Sequence, residues 1–172
     1  MKTFLRGRLA DTAGELAELR AMLAAVHRSQ AVIEFELDGT VRTANANFLS
    51  VVGYELDEIQ GRHHSLFLDP TEAVSPEYKA FWRRLNAGEF IADKFTRYGK
   101  GGARAVIEAS YNPILDTSGK PYKVVKFATD VTAAEVERER RAEADRREAE
   151  IQTRVVGDTG RGLAAMATGD LS

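Results

Sequence analysis

The sequence contains no cysteine. That excludes disulfides, thiolate metal ligands, a cysteine nucleophile and a cysteinyl-flavin photoadduct. It fits a reducing compartment. Three histidines are too few for a histidine-rich metal site. No apolar run is long enough to span a bilayer. The basic start, Met1 to Arg8, lacks the apolar stretch of a signal peptide, so the chain is expected in the cytoplasm. Charge of one sign is also missing. Lys and Arg total 24 against 26 Asp and Glu, a net charge of −2, so no basic field points to nucleic acid. No His-x-x-x-His pair, nucleophile elbow or P-loop is present, which argues against an enzyme.

What is there fits one ordinary domain with flanking helix, since 172 residues do not make two full domains. Residues 1–29 read as an N-terminal amphipathic helix. Leu16, Leu19, Leu23 and Val26 recur at helical spacing, and Thr12 with Glu15 has the form of a capping box. That stripe should pack on its own sheet, on a partner's helix, or on both. The period then changes. Residues 31–37 and 40–43 read as two strands around an Asp38-Gly39 turn. Short helices follow over 45–53 and 56–59. Residues 61–75 read as irregular, broken by Asp69-Pro70. Ser75-Pro76 opens a helix to about Asn86. Three strands, 89–98, 103–115 and 121–129, complete a five-stranded antiparallel α+β domain. From 133 to about 156 the chain is rich in Glu, Arg and Ala, with Glu135–Arg138 and Glu143–Arg147 at helical spacing. This is a solvated helix suited to a coiled coil.

Several motifs in this order are similar to a PAS domain over residues 30–132. They are Phe35-Glu36-Leu37-Asp38-Gly39-Thr40, Ala44-Asn45-Ala46-Asn47-Phe48, and Gly53-Tyr54-Glu55-Leu56-Asp57-Glu58-Ile59-Gln60-Gly61. Asp130-Val131-Thr132 resembles the motif that joins a PAS sheet to its output helix. His63-His64-Ser65, Phe81-Trp82, Gly88-Glu89-Phe90 and Tyr111-Asn112-Pro113 look like the PAS domains of methyl-accepting chemotaxis receptors. Residues 157–172 resemble the start of a HAMP segment, as in a fragment of a longer receptor.

The resemblance implies a sensory pocket between sheet and helices. FAD is the first candidate occupant. His64 stands six residues before Pro70, the offset of a histidine in flavin-binding aerotaxis-receptor PAS domains. Trp82 and Asn45 also match that group, and the likeness extends the candidate lining to Phe35, Tyr111 and Asn112. Ser65 and Phe90 depart from it, where Asn and Trp are usual. Haem ranks below flavin, because only His63 or His64 could be the axial ligand. A pocket with no prosthetic group, packed with side chains, is the third case. Each residue also has a plain structural reading: Trp82 as core, His64 as a loop-capping ring, Asn45 as a helix cap. The adjacent histidines should point in different directions, with at most one facing the pocket.

The function expected is a sensory input domain of a chemotaxis receptor, relaying pocket state through Asp130 and Thr132 to the coiled coil. A cofactor-free dimerising relay and a histidine-kinase PAS are the alternatives. The implied partners are a second copy, through the N-terminal and coiled-coil helices, and the receptor's own signalling domain with its kinase and adaptor. Neither nucleic acid nor membrane is expected for this stretch.

Overall fold

A computed structural model describes the backbone of residues 2–168 and the side chains of residues 11–154. The chain divides into two compact units that meet between Val131 and Thr132. In the first, helix α1 (Lys2–Ser29) leads into strand β1 (Ala31–Phe35) and strand β2 (Val41–Ala44). Helices α2 (Ala46–Val52) and α3 (Leu56–Ile59) follow, then a 3-10 turn (His64–Phe67), helix α4 (Pro70–Ala73) and helix α5 (Pro76–Asn86). Strands β3 (Ile91–Tyr98), β4 (Arg104–Leu115) and β5 (Pro121–Asp130) close the unit. The order across the sheet is β2-β1-β5-β4-β3, with every neighbour antiparallel. The first and last strands of the chain segment therefore do not lie at opposite edges; β5 is central and pairs with both β1 and β4.

Period-2 alternation sorts the strands into two faces. Ile33 and Phe35 of β1, Val124 and Ala128 of β5, and Ile107, Ala109 and Tyr111 of β4 join the core. Opposite them, α5 presents Tyr78, Trp82 and Leu85, spaced i, i+4, i+7 on one face. Ser75 caps that helix through a 3.1 Å bond from the Tyr78 amide, and Pro76 occupies its first turn. The segment expected to be irregular over 61–75 holds the 3-10 turn and α4. Both were hidden because four-residue helices show no periodicity and rest on caps, such as the Thr71 amide on the Asp69 side chain.

Two contacts fix how the loops meet the core. Asn45 caps α2, its oxygen accepting from the amides of Phe48 (3.0 Å) and Val32 (2.9 Å). Its amide nitrogen donates to the carbonyls of Gln30 (2.8 Å) and His27 (3.0 Å). Asn47 donates to the Gln30 and Arg28 carbonyls as well. These amides satisfy the open carbonyls at the end of α1. On the other side, Gly99 opens the β3–β4 turn, which Lys100 pins to Glu58 of α3. A Cβ on Gly99 would lie 2.3 Å from the Val52 carbonyl oxygen, so glycine is required by close approach of two backbones.

The stripe on α1 is not buried by its own sheet. Leu16, Leu19, Met22 and Leu23 are between 47% and 61% exposed. In the second unit, helix α6 (Thr132–Thr168) runs unbroken through the boundary expected at 156. Both anticipated ion pairs form, Arg138–Glu135 at 3.5 Å and Arg147–Glu143 at 2.5 Å, joined by Arg141–Glu137 at 2.8 Å. The side chains of the HAMP-like stretch 157–172 lie outside the described residues.

Gly99→Ala is expected to cost about 1–3 kcal/mol, because neither backbone can move away without shifting α2. Urea unfolding should show a lower midpoint with an unchanged slope.

Candidate functional site

The 3-10 turn that carries the histidines is docked on the β1–β2 hairpin. The His64 amide donates to the Gly39 carbonyl (2.8 Å), and Thr40 and His63 form an isolated bridge. This sends the two imidazoles apart. His63 faces the hairpin, with Nε2 2.9 Å from the Asp38 carbonyl and Nδ1 2.8 Å from the Ser65 hydroxyl. Gly39 leaves room for it: a Cβ there would meet His63 at 2.7 Å and Trp82 at 3.0 Å, and its φ is +89°.

His64 enters the core and is fully buried. Its Nδ1 lies 2.9 Å from the Tyr78 hydroxyl of α5, and its Nε2 lies 3.0 Å from the Tyr111 hydroxyl of β4. Rings surround it, with Phe35 at 5.2 Å, Trp82 at 5.7 Å and Phe81 at 6.2 Å between centroids. Burial, with help from the charges of Lys126 and Arg97, holds the His64 pKa well below the usual imidazole value. The ring is therefore neutral, donating from one nitrogen and accepting at the other. Burial also pushes the Tyr78 hydroxyl up to about 12 and raises that of Tyr111.

Of the residues singled out in the sequence, the structure gathers His64, Trp82, Phe35 and Tyr111 into this cluster. It places Asn45 at the α1–α2 clamp, where both amide atoms are committed to backbone. Asn112 falls on the other face of the sheet. It is one residue past Tyr111, so the pleat turns it outward, onto Ser110 and the Val125 carbonyl. Neither asparagine lines the core. Phe90 is 68% exposed ahead of β3. Asp130 ends β5 and Thr132 opens α6.

Three core residues stood outside the candidate lining. Tyr78, on the helix opened by Ser75-Pro76, follows from helical spacing with Trp82. Arg97 is 4% exposed, with Nη1 2.6 Å from the Thr96 carbonyl and 3.4 Å from Glu72. Lys126 is 1% exposed in the middle of the sheet, directly paired with Tyr111. Its Nζ lies over the rings of Tyr111 (4.8 Å) and Phe48 (5.5 Å). Strand alternation, with Val124 and Ala128 inward on either side, was the signal that could have found it.

Residues 26–136 match the family model described as PAS fold, and the chain belongs to that family. It is 47% identical over 115 residues to the biofilm dispersion protein BdlA of Pseudomonas aeruginosa. The match covers 67% of this chain and 28% of that protein, so the chain spans less than a third of the relative's length. Among solved structures, an RNA-binding light-oxygen-voltage receptor superposes with a TM-score of 0.60 at 21% identity, covering 74% of this chain and 37% of that one. A PAS domain from Colwellia psychrerythraea gives 0.58 at 17% identity, covering 67% and 98%. These two likenesses concern the fold. No helix among the described residues is long and apolar enough to cross a membrane.

The lowered His64 pKa sets an acid response. As pH falls through the ordinary imidazole value of 6.5, the unfolded chain takes up a proton that the folded core refuses, so stability falls. His64→Gln should flatten the slope of Tm between about pH 7 and pH 5. An unchanged slope in the variant would assign the acid response to other groups.

Proposed function

We propose that this chain is the signal-input module of a chemotaxis-type receptor, reading a small molecule in the His64 core and passing the result along β5 into α6. One observation carries the reading: a single buried imidazole holds α5 and β4 together through two tyrosine hydroxyls. A ligand that bonds to His64, Tyr78 or Tyr111 must replace one of those links. β4 pairs with β5 from Ile107 to Leu115, and β5 ends at Asp130, two residues before Thr132. A change on the core face is thus one strand away from the joint, and two states a few kcal/mol apart suffice for a switch. Asp130 and Thr132 are the relay residues in this scheme.

FAD is the first occupant to test. The donors fit the acceptor edge of its ring: His64 and Tyr111 are in place, and Trp82 Nε1 is buried without a partner. Phe35 and Trp82 would wall it, and the bound group would supply a redox-dependent change in hydrogen bonding. The space is less accommodating. Phe35 and Trp82 stand 5.8 Å apart and Phe81 and Tyr111 4.8 Å, so a tricyclic ring enters only if the cluster parts. Haem would require His64, the histidine inside the core, to surrender a tyrosine hydroxyl. The filled core also supports a domain that takes a smaller metabolite or acts as a relay.

The absorption spectrum of the purified chain tests these occupants. Bands near ~450 and ~370 nm identify flavin, and an intense band near ~400–420 nm identifies haem on His64. Asp130→Ala should leave any such spectrum unchanged while abolishing the output of the full receptor. Loss of the chromophore in that variant would contradict the separation of sensing from relay.

A second copy of the chain is the proposed partner of the exposed α1 stripe, with the charged α6 as a further dimer element. Light scattering should give twice the chain mass, and a clean monomer at high concentration would overturn the dimer. The kinase and adaptor of the chemotaxis pathway would be reached through the rest of the receptor.

A further inference from the structure

The hydrogen-bonding inventory of the core does not balance. Neutral His64 can accept at one nitrogen only, so one of its two tyrosine partners accepts from it and keeps its own O–H unspent. With either tautomer, that O–H finds no acceptor among the described residues. Trp82 Nε1–H and Arg97 Nε–H are buried and unpartnered too. Trp82 is 8% exposed and Arg97 4%. The Lys126 Nζ forms neither a hydrogen bond nor an ion pair among the described residues and rests on ring faces alone. The acid paired with Arg97 is Glu72, at 3.4 Å, and its side chain is 45% exposed. The core thus holds the Lys126 amine, the Arg97 guanidinium and several idle donors, with no buried carboxylate among the described residues to answer them. Such an arrangement costs free energy unless an acceptor is supplied.

We propose that the ligand of this core is a small organic carboxylate, its anionic head held by Lys126 and Arg97 and its body seated against Tyr111. The proposal rests on the reading of the core as a ligand site and names the chemical class it takes. In this proposal the body takes the place of the Phe81 ring. That ring is partly buried and packs edge-on to Tyr111 at 4.8 Å, so binding would turn it outward and vacate a slot with the volume of one aromatic ring. One ring is the size the slot sets, which separates this ligand from a tricyclic or macrocyclic group. Burial, together with Arg97, depresses the Lys126 pKa well below its usual value. A carboxylate beside it restores the charged form, so binding takes up a proton and tightens as pH falls. The titratable and charged groups facing Lys126 are Tyr111 on β4, Arg97 on β3 and His64 on the 3-10 turn; α2 offers only the Phe48 ring.

The chain supplies its own reporter, because Trp82 is its single tryptophan and lies in the core. The test titrates the full chain with benzoate and with its neutral isostere benzamide, following Trp82 emission and Tm. Benzoate should give a saturable change, and benzamide should bind at least about tenfold more weakly. Lys126→Met should weaken benzoate by about tenfold or more and leave benzamide unmoved. Phe81→Ala, which opens the slot without touching a charge, should strengthen benzoate binding and serves if Lys126→Met does not fold. Equal responses to the two probes, or none at millimolar concentration, would overturn the carboxylate. A flavin spectrum with no benzoate response would do so as well while leaving the sensory reading intact. A benzoate response in a colourless chain supports both.

Discussion

The structure depends on the cost of placing an imidazole where no water reaches it. Each buried polar group left unpaired would cost about 1–3 kcal/mol, so both nitrogens of His64 must find partners inside the protein. They find them on opposite walls, in Tyr78 of α5 and Tyr111 of β4. Those two bonds set the height of the helix over the sheet. They also explain why the 3-10 turn is fastened to the hairpin by the Gly39 carbonyl and by His63, since the ring can meet both hydroxyls only if its backbone is held. An apolar residue at 64 would fill the volume but would not specify the registration of the two layers.

Around that link the electrostatics are lopsided. Elsewhere several cations sit beside acids, as in Lys123–Glu34, Arg42–Glu36 and the ladder along α6. In the core Lys126 has only aromatic faces, and Arg97 reaches a single rim carboxylate. Aromatic quadrupoles offset part of the desolvation of an ammonium and do not replace a counter-ion. The polarity of the site is thus fixed by what is missing from it. Any occupant must bring acceptors.

Much of this architecture was legible from residues alone. Strand alternation, the Asp38-Gly39 turn and the Ser75-Pro76 cap each have a local cause, and the corresponding elements form close to their expected limits. His64, Trp82, Phe35 and Tyr111 converge because the family motifs place them on inward positions. Asn45 and Asn112 stand outside this cluster for two different physical reasons. Asn45 obeyed its local rule and spent its side chain on helix ends. Asn112 was carried along with its neighbour Tyr111, although adjacent residues of a strand face opposite ways. Lys126 and Arg97 were missed because a charged residue in a strand is read by default as solvent-facing. Position 126 is interior because it shares the face of Val124 and Ala128 on a central strand of the sheet.

The asparagine clamp at the end of α1 has a broader consequence. Asn45 and Asn47 grip the carbonyls of residues 27, 28 and 30, so the helix is fastened at its end by polar bonds, while none of its described side chains joins the core. A fastening of this kind works like a threaded coupling. What lies ahead of residue 27 can be exchanged, lengthened or bundled with another helix without repacking the sensor, provided the last turn keeps its carbonyls in place. The same core can therefore be mounted behind different input segments, and its own chemistry stays insulated from what it is attached to.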